Sequence, residues 1–183
     1  PNNLCKLLHG ASSLIQSNLD KDEVLEEFTF ILQEMLNSDG ATLYLARDGQ
    51  LMFHNLSNKN MDVRWRANSE EIRKIAPLIL NVESKNPVSI ECFLRKKTII
   101  VDDIYSETSL NTEASRQFDQ QFNYKTKSLL AVPILGSLGE VIGVLQFINA
   151  RSLSNDLIQF DPECVKLAES FSGFIGSILQ RSN

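Results

Sequence analysis

The sequence predicts an α+β fold, with antiparallel β-hairpins set among amphipathic helices, and three observations carry that prediction. Two apolar, β-rich runs at residues 128–135 and 141–148 are separated by Gly136-Ser137-Leu138-Gly139, which makes them a hairpin. A second pair, 41–46 and 50–56, flanks Arg47-Asp48-Gly49, and Asp-Gly is a strong two-residue turn signal. Apolar side chains three and four residues apart over 24–36, and again over 165–179, form the stripes of helices with one buried face.

Taken in order, Leu4, Leu7, Leu8, Ala11, Leu14 and Ile15 give a first helical stripe, interrupted at Asn18-Leu19-Asp20. Asp20 then caps a second helix with Glu23 at capping-box spacing, and Val24, Leu25, Phe28, Ile31, Leu32, Met35 and Leu36 form its buried face. Residues 37–40 read as the connection to the first hairpin, and 57–60 as a turn after it. Asn68 with Glu71 has the spacing to cap a helix through Ile72, Ile75, Leu78 and Ile79, which Pro77 should kink or end. Trp65 is either an apolar anchor under this insertion or an aromatic platform for a ligand. Residues 88–95 read as a short helix and 98–102 as a strand. From 103 to 124 the chain is polar, with Leu110, Phe118 and Phe122 as its anchors, and a connection of that length in a compact domain is usually functional or mobile.

The hairpin of 128–148 is nearly continuous in apolar residues, so its strands should be central and covered on both faces. Pro133 lacks an N–H and predicts a bulge or local irregularity. Gly143 leaves room for a close approach, and Gln146 is either a solvent-facing side chain or a polar contact inside a pocket. After a loop at 151–155, Asp161 caps the last helix with Pro162 at its first position.

Composition narrows the function. At 183 residues the chain suits a single domain spanning 1–183. A formal charge of −5 gives no basic field, which argues against nucleic acid as a partner. No apolar run approaches the ~20 residues of a membrane span, and the N-terminus lacks the basic-then-apolar order of a secretory signal. Cys5, Cys92 and Cys164 are odd in number and widely spaced, which reads as buried thiols in a reducing, cytoplasmic compartment. His9 and His54 form no catalytic set with a nucleophile, and Asp102-Asp103 is either a cation site or a solvated turn. The start at Pro1 and the polar end at Arg181-Ser182-Asn183 point to a piece of a larger protein.

The run 122–134 (FNYKTKSLLAVPI), followed by 139–149 (GEVIGVLQFIN), resembles the core of a GAF domain, most of all those of cyclic-nucleotide phosphodiesterases and bacterial adenylyl cyclases. The resemblance implies a six-stranded antiparallel sheet with helices on both faces. It also implies a small-molecule pocket under covering loops, and a sensory module rather than an enzyme. Its cyclic-nucleotide members carry Asn-Lys, then Phe, three residues and Asp-Glu. Here Asn149 and Asp161 match, while Ala150, Leu157 and Pro162 replace the Lys, Phe and Glu, so the family's Lys to Asp ion pair cannot form. The aromatic-Asp pair that holds the base is Leu56-Ser57, and the Gly-rich entry to the covering helix is Pro87-Val88-Ser89-Ile90. Cys92 is followed by Phe93, not by the His of bilin-attaching members, and has no resolving thiol for sulfoxide reduction.

The expected ligand-binding residues are Thr126, Gln146, Val88, Ser89, Leu56, Phe118, Asp119 and Phe122, with Asn149 and Asp161 as the motif remnant. The ligand is a small molecule of unknown identity, with a cyclic nucleotide among the possibilities. The other expected partners are a second copy of the chain, met through helices at 1–18 and 163–183, and a covalently linked output domain. The alternative is a ligand-free dimerisation scaffold.

Overall fold

The computed structural model describes residues 12–13, 20–81 and 85–180. The stripe of Leu4 to Ile15, and Cys5 and His9 with it, lies outside the described residues. Helix α1 (Lys21–Met35) begins with the capping box read from the sequence: Glu23 N–H donates to Asp20 Oδ1 at 2.9 Å and Asp20 N–H to Glu23 Oε2 at 3.1 Å. Two unsatisfied helical N–H groups are met this way. Asn37, at φ 46°, turns the chain within one residue, so β1 (Ser38–Arg47) already starts at Ser38, where a longer connection was expected. Asp48 and Gly49, both at positive φ, make the tight turn into β2 (Gln50–Asn58).

The insertion that follows departs most from expectation. A 3₁₀ turn at Lys59–Met61 leads to β3 (Val63–Trp65), a short edge strand. Helix α2 (Glu70–Lys74) is capped by Ser69, which accepts from Ile72 N–H at 3.3 Å, and not by Asn68. Asn68 instead sits at φ 60° and donates to Asp22 Oδ2 at 3.0 Å. The helix stops at Lys74 because Pro77 drives the residues before it out of helical geometry, and Leu78–Ile79 becomes β4, paired with β2.

Helix α3 (Val88–Arg95) and β5 (Ile99–Val101) follow as expected. The polar segment after them contains a ten-residue helix, α4 (Glu113–Phe122), where a loop was expected. Then come β6 (Leu129–Leu135), β7 (Val141–Arg151), β8 (Leu157–Ile158) and α5 (Pro162–Gln180). Asp161 caps α5, with Cys164 N–H donating to Oδ1 at 2.8 Å.

The core strands lie in the order β3-β2-β1-β7-β6-β5, all pairs antiparallel, with β4 and β8 as short additions. This is the expected six-stranded sheet with helices on both faces, and β6 and β7 are interior strands. On one face α1 and α5 close over Leu43, Leu130, Val132, Leu145 and Phe147, with Phe28 and Phe174 in ring contact at 5.1 Å. On the other, α3 delivers Ile90 and Cys92 to Tyr44, Leu129, Ala131 and Val144. Pro133 costs no ladder bond on its outer side, because β5 begins at Ile99, opposite Ala131, and Pro133 reaches past it. The irregularity falls one residue later, between Ile134 and Leu135. Gly143 is needed for the sheet itself: a Cβ there would lie 2.5 Å from the Tyr44 carbonyl oxygen.

Candidate functional site

Register aligns one row of residues across all six core strands: Trp65, Leu56, Thr42, Gln146, Ala131 and Ile99. It lies on the face covered by α3, because Thr42 and Gln146 stand two residues from the buried Tyr44 and Val144 of that side. Within it Ala131 is fully buried, yet Gln146, in the middle of an interior strand, is only half-buried. Its amide has no hydrogen-bond partner among the described residues. Leu56 and Trp65, two and three strands further along the row, are half-buried as well.

The other expected site residues are placed differently. Val88 and Ser89 begin α3 with 5% and 2% exposure, Ser89 beside the Tyr44 hydroxyl. Thr126 and Asp119 satisfy each other: the Thr126 N–H and hydroxyl each donate to the Asp119 carboxylate at 2.8 Å, and the Tyr105 hydroxyl donates to it at 2.6 Å. Asp119 is the one buried residue of α4. A carboxylate, and no apolar anchor, therefore ties that helix to the start of β6. Phe118 is half-buried against Phe122 (4.7 Å) and Tyr124 (6.3 Å), while Phe122 is exposed at the end of α4. Leu110 packs half-buried on the α3 side of the core.

Asn149 holds the turn that links α4 to β6. Its Oδ1 accepts from Lys127 N–H at 2.6 Å, and its Nδ2 donates to the Lys125 carbonyl at 2.7 Å and the Tyr124 hydroxyl at 2.8 Å. Ala150 is buried where the family's lysine would stand, and an ion pair unseen in the sequence has formed one residue on. Arg151 grips the fully buried Asp39 with two nitrogens, Nη2 at 2.7 Å, and Asp39 also accepts from the Tyr124 hydroxyl at 2.7 Å. Burial and the Asp39 carboxylate push the Tyr124 hydroxyl well above the usual range, and Asp39 raises Arg151 further. No sequence signal marked this pair, because Asp39 stood in an expected connection and Arg151 in an expected loop.

His54, 8% exposed, is structural, with Nε2 at 2.9 Å from Asp22 and Nδ1 at 2.7 Å from Asn55. Cys92 is fully buried, and burial pushes its thiol up to about 12, the opposite of an activated nucleophile. Asp103 serves a turn, accepting from Tyr105 N–H at 2.9 Å, and Asp102 is exposed. Among the described residues no cluster of His, Cys, Asp or Glu has metal-ligating geometry, and no helix is long and apolar enough to cross a membrane.

The sequence model of the GAF domain matches residues 20–179. The chain belongs to the GAF domain family. Its GAF fold is shared with the GAF domain of a phosphoenolpyruvate-protein phosphotransferase from Coxiella burnetii, at a TM-score of 0.72, 15% identity, and 98% coverage of this chain and 94% of that one. The chain is 24% identical over 176 residues to a cGMP-specific 3',5'-cyclic phosphodiesterase of Drosophila melanogaster, covering 92% of this chain but 14% of that protein. It is 39% identical over 80 residues to a dual 3',5'-cyclic-AMP and -GMP phosphodiesterase 11A of Takifugu rubripes, 44% of this chain and 8% of that protein. This GAF domain thus spans a small fraction of the curated relatives it matches.

Proposed function

We propose that this GAF domain is the sensory module of a larger cytoplasmic signalling protein, of the phosphodiesterase or adenylyl cyclase type. It takes a small molecule on the sheet face over Gln146 and relays its presence through the helices at 1–18 and 163–183, paired in a homodimer, to an output domain. The observation that carries this reading is the half-buried, unpartnered Gln146 at the centre of an interior strand. A half-exposed amide with no protein partner there is free to exchange water for a ligand's hydrogen bonds. The lid is α4, which has no fully buried apolar side chain and is latched through Asp119. Such a segment opens without unpacking the core.

Cyclic nucleotides bind this site weakly or not at all. Leu56-Ser57 offers no aromatic-acid pair for a base, and Ala150 and Pro162 break the family motif. The competing reading, a ligand-free dimerisation scaffold, draws on the closely packed α3 side, where Tyr44, Ile90, Leu129 and Ala131 are all at or below 5% exposure. A thermal-shift screen of cyclic nucleotides and small metabolites separates the two, since a ligand raises apparent stability by mass action. A true ligand stabilises the domain and slows exchange over residues 113–124, and Gln146→Leu weakens both effects. No stabilising compound, together with exchange over 113–124 as slow as over 129–147, would favour the scaffold.

A further inference from the structure

A cavity lies on the opposite, α1-bearing side of the sheet, near the turn of the β1–β2 hairpin. It has a volume of about 470 Å³, within the range of small-molecule sites. Leu45, Ile72 and Ile75 give it an apolar floor, and Met52, 39% exposed, stands at its margin. Its polar wall is built and already satisfied. His54 and Asn68 occupy the two oxygens of Asp22, at 2.9 and 3.0 Å, and Asn55 takes the other ring nitrogen of His54. Asp22 is the one carboxylate among the lining residues, so its engagement leaves no unpaired carboxylate facing the space.

The unmet groups are two guanidinium ions. Arg73 lines the cavity with no side-chain partner among the described residues, and Arg47 lines it with only a solvent-exposed contact to Asp48 at 3.3 Å. Such an exposed pair contributes little and is readily exchanged for a better anion. We propose that this cavity binds a small amphipathic carboxylate, an apolar body on Leu45, Ile72 and Ile75 with its single negative charge between Arg47 and Arg73. Planar guanidinium groups match a carboxylate by paired hydrogen bonds, and the apolar floor selects against small hydrophilic acids. The site is independent of the one over Gln146: it uses the other sheet face, and neither needs the other occupied.

The test is methyl NMR of the full chain with octanoate as probe and 1-octanol as its uncharged counterpart. Octanoate should shift the Met52, Ile72 and Ile75 methyls saturably, while octanol binds several-fold more weakly. Arg73→Ala, at an exposed position that the fold does not need, should cost octanoate about threefold to fivefold in affinity and leave octanol unchanged. Ile75→Trp, with its fold checked by the dispersion of the remaining methyls, should fill the space and abolish both. Equal binding of octanol and octanoate, or indifference to Arg73→Ala, would overturn the charge recognition. Shifts confined to Ile99 and Ile148 would assign the probe to the other face. Binding only after removal of residues 1–19 would give the cavity to that segment, and either result overturns the proposal.

Discussion

Replacing Arg151 by Met should be among the costliest single substitutions in this domain. Asp39 has no exposed side-chain surface, and Arg151 supplies two of its charge-assisted hydrogen bonds. Removing one partner of such a pair strands the other charge, a loss of about 3–5 kcal/mol for a fully buried pair. Arg151 keeps 16% of its side chain exposed, and Tyr124 and Asn149 still donate to Asp39, so the expected loss is about 2–4 kcal/mol. For a domain of this size that is roughly 5–15 °C in Tm. Asp39→Asn should cost less, because Arg151 retains the Asn155 carbonyl at 2.8 Å and some solvent. The double variant should recover part of the sum, with a coupling of about 1–3 kcal/mol in urea denaturation. If Arg151→Met costs under ~1 kcal/mol and the cycle shows no coupling, the pair does not anchor this end of the sheet.

Three further outcomes follow from individual contacts. The folded Cys92 thiol, held up at about 12 by burial against an ordinary 9.0, binds a proton that the unfolded chain has lost above pH ~9. Its contribution therefore disappears as pH rises, by about 2 kcal/mol at pH 10.5, and Cys92→Ala should flatten the fall of Tm across pH 8.5–10.5. Asp119→Asn keeps the shape of the α4 latch but cannot accept all three of its hydrogen bonds as a carboxylate does, so exchange should accelerate over 113–124 and stay unchanged over 129–147. Light scattering at micromolar concentration should give twice the chain mass, and a concentration-independent monomer would remove the dimer from the proposed relay.

Legibility followed the range of the interactions. The two hairpins and the caps at Asp20 and Asp161 were readable because turn, cap and stripe lie within a few residues of each other. Strands β3 and β4 have three and two residues and exist only because β2 is there to pair with them, so no local pattern announces them. Helix α4 escaped for another reason. Periodicity detects apolar residues, and the one residue it buries is the carboxylate Asp119. Gln146 was visible as an odd polar residue in an apolar run. Its neighbours Thr42 and Ala131 are set by strand register, and Asp39 meets Arg151 across 112 residues.

These contacts also decide where a sensor of this build can move. The turn at 124–127 is fixed from below by Asn149, Asp39 and Arg151, a set of buried and charged bonds that opens only with the end of the sheet. Helix α4 is joined to that turn at Asn123, which sits at φ 48°, and beyond it is held by the Asp119 latch and by Arg116, whose guanidinium donates to the Ile104 carbonyl at 3.0 Å. The cheapest displacement therefore pivots α4 at Asn123 and leaves Tyr124 to Lys127 in place. An Asn holds a left-handed backbone at less cost than other residues with a Cβ, and Gly at none. Asn123→Gly should then leave the closed state intact and loosen the pivot, raising exchange over 113–122 while Lys127 stays protected. Equal acceleration at 113–122 and at Lys127 would mean that lid and turn open together, and that the family's broken motif has been replaced by a hinge at Asn149 instead of an anchor.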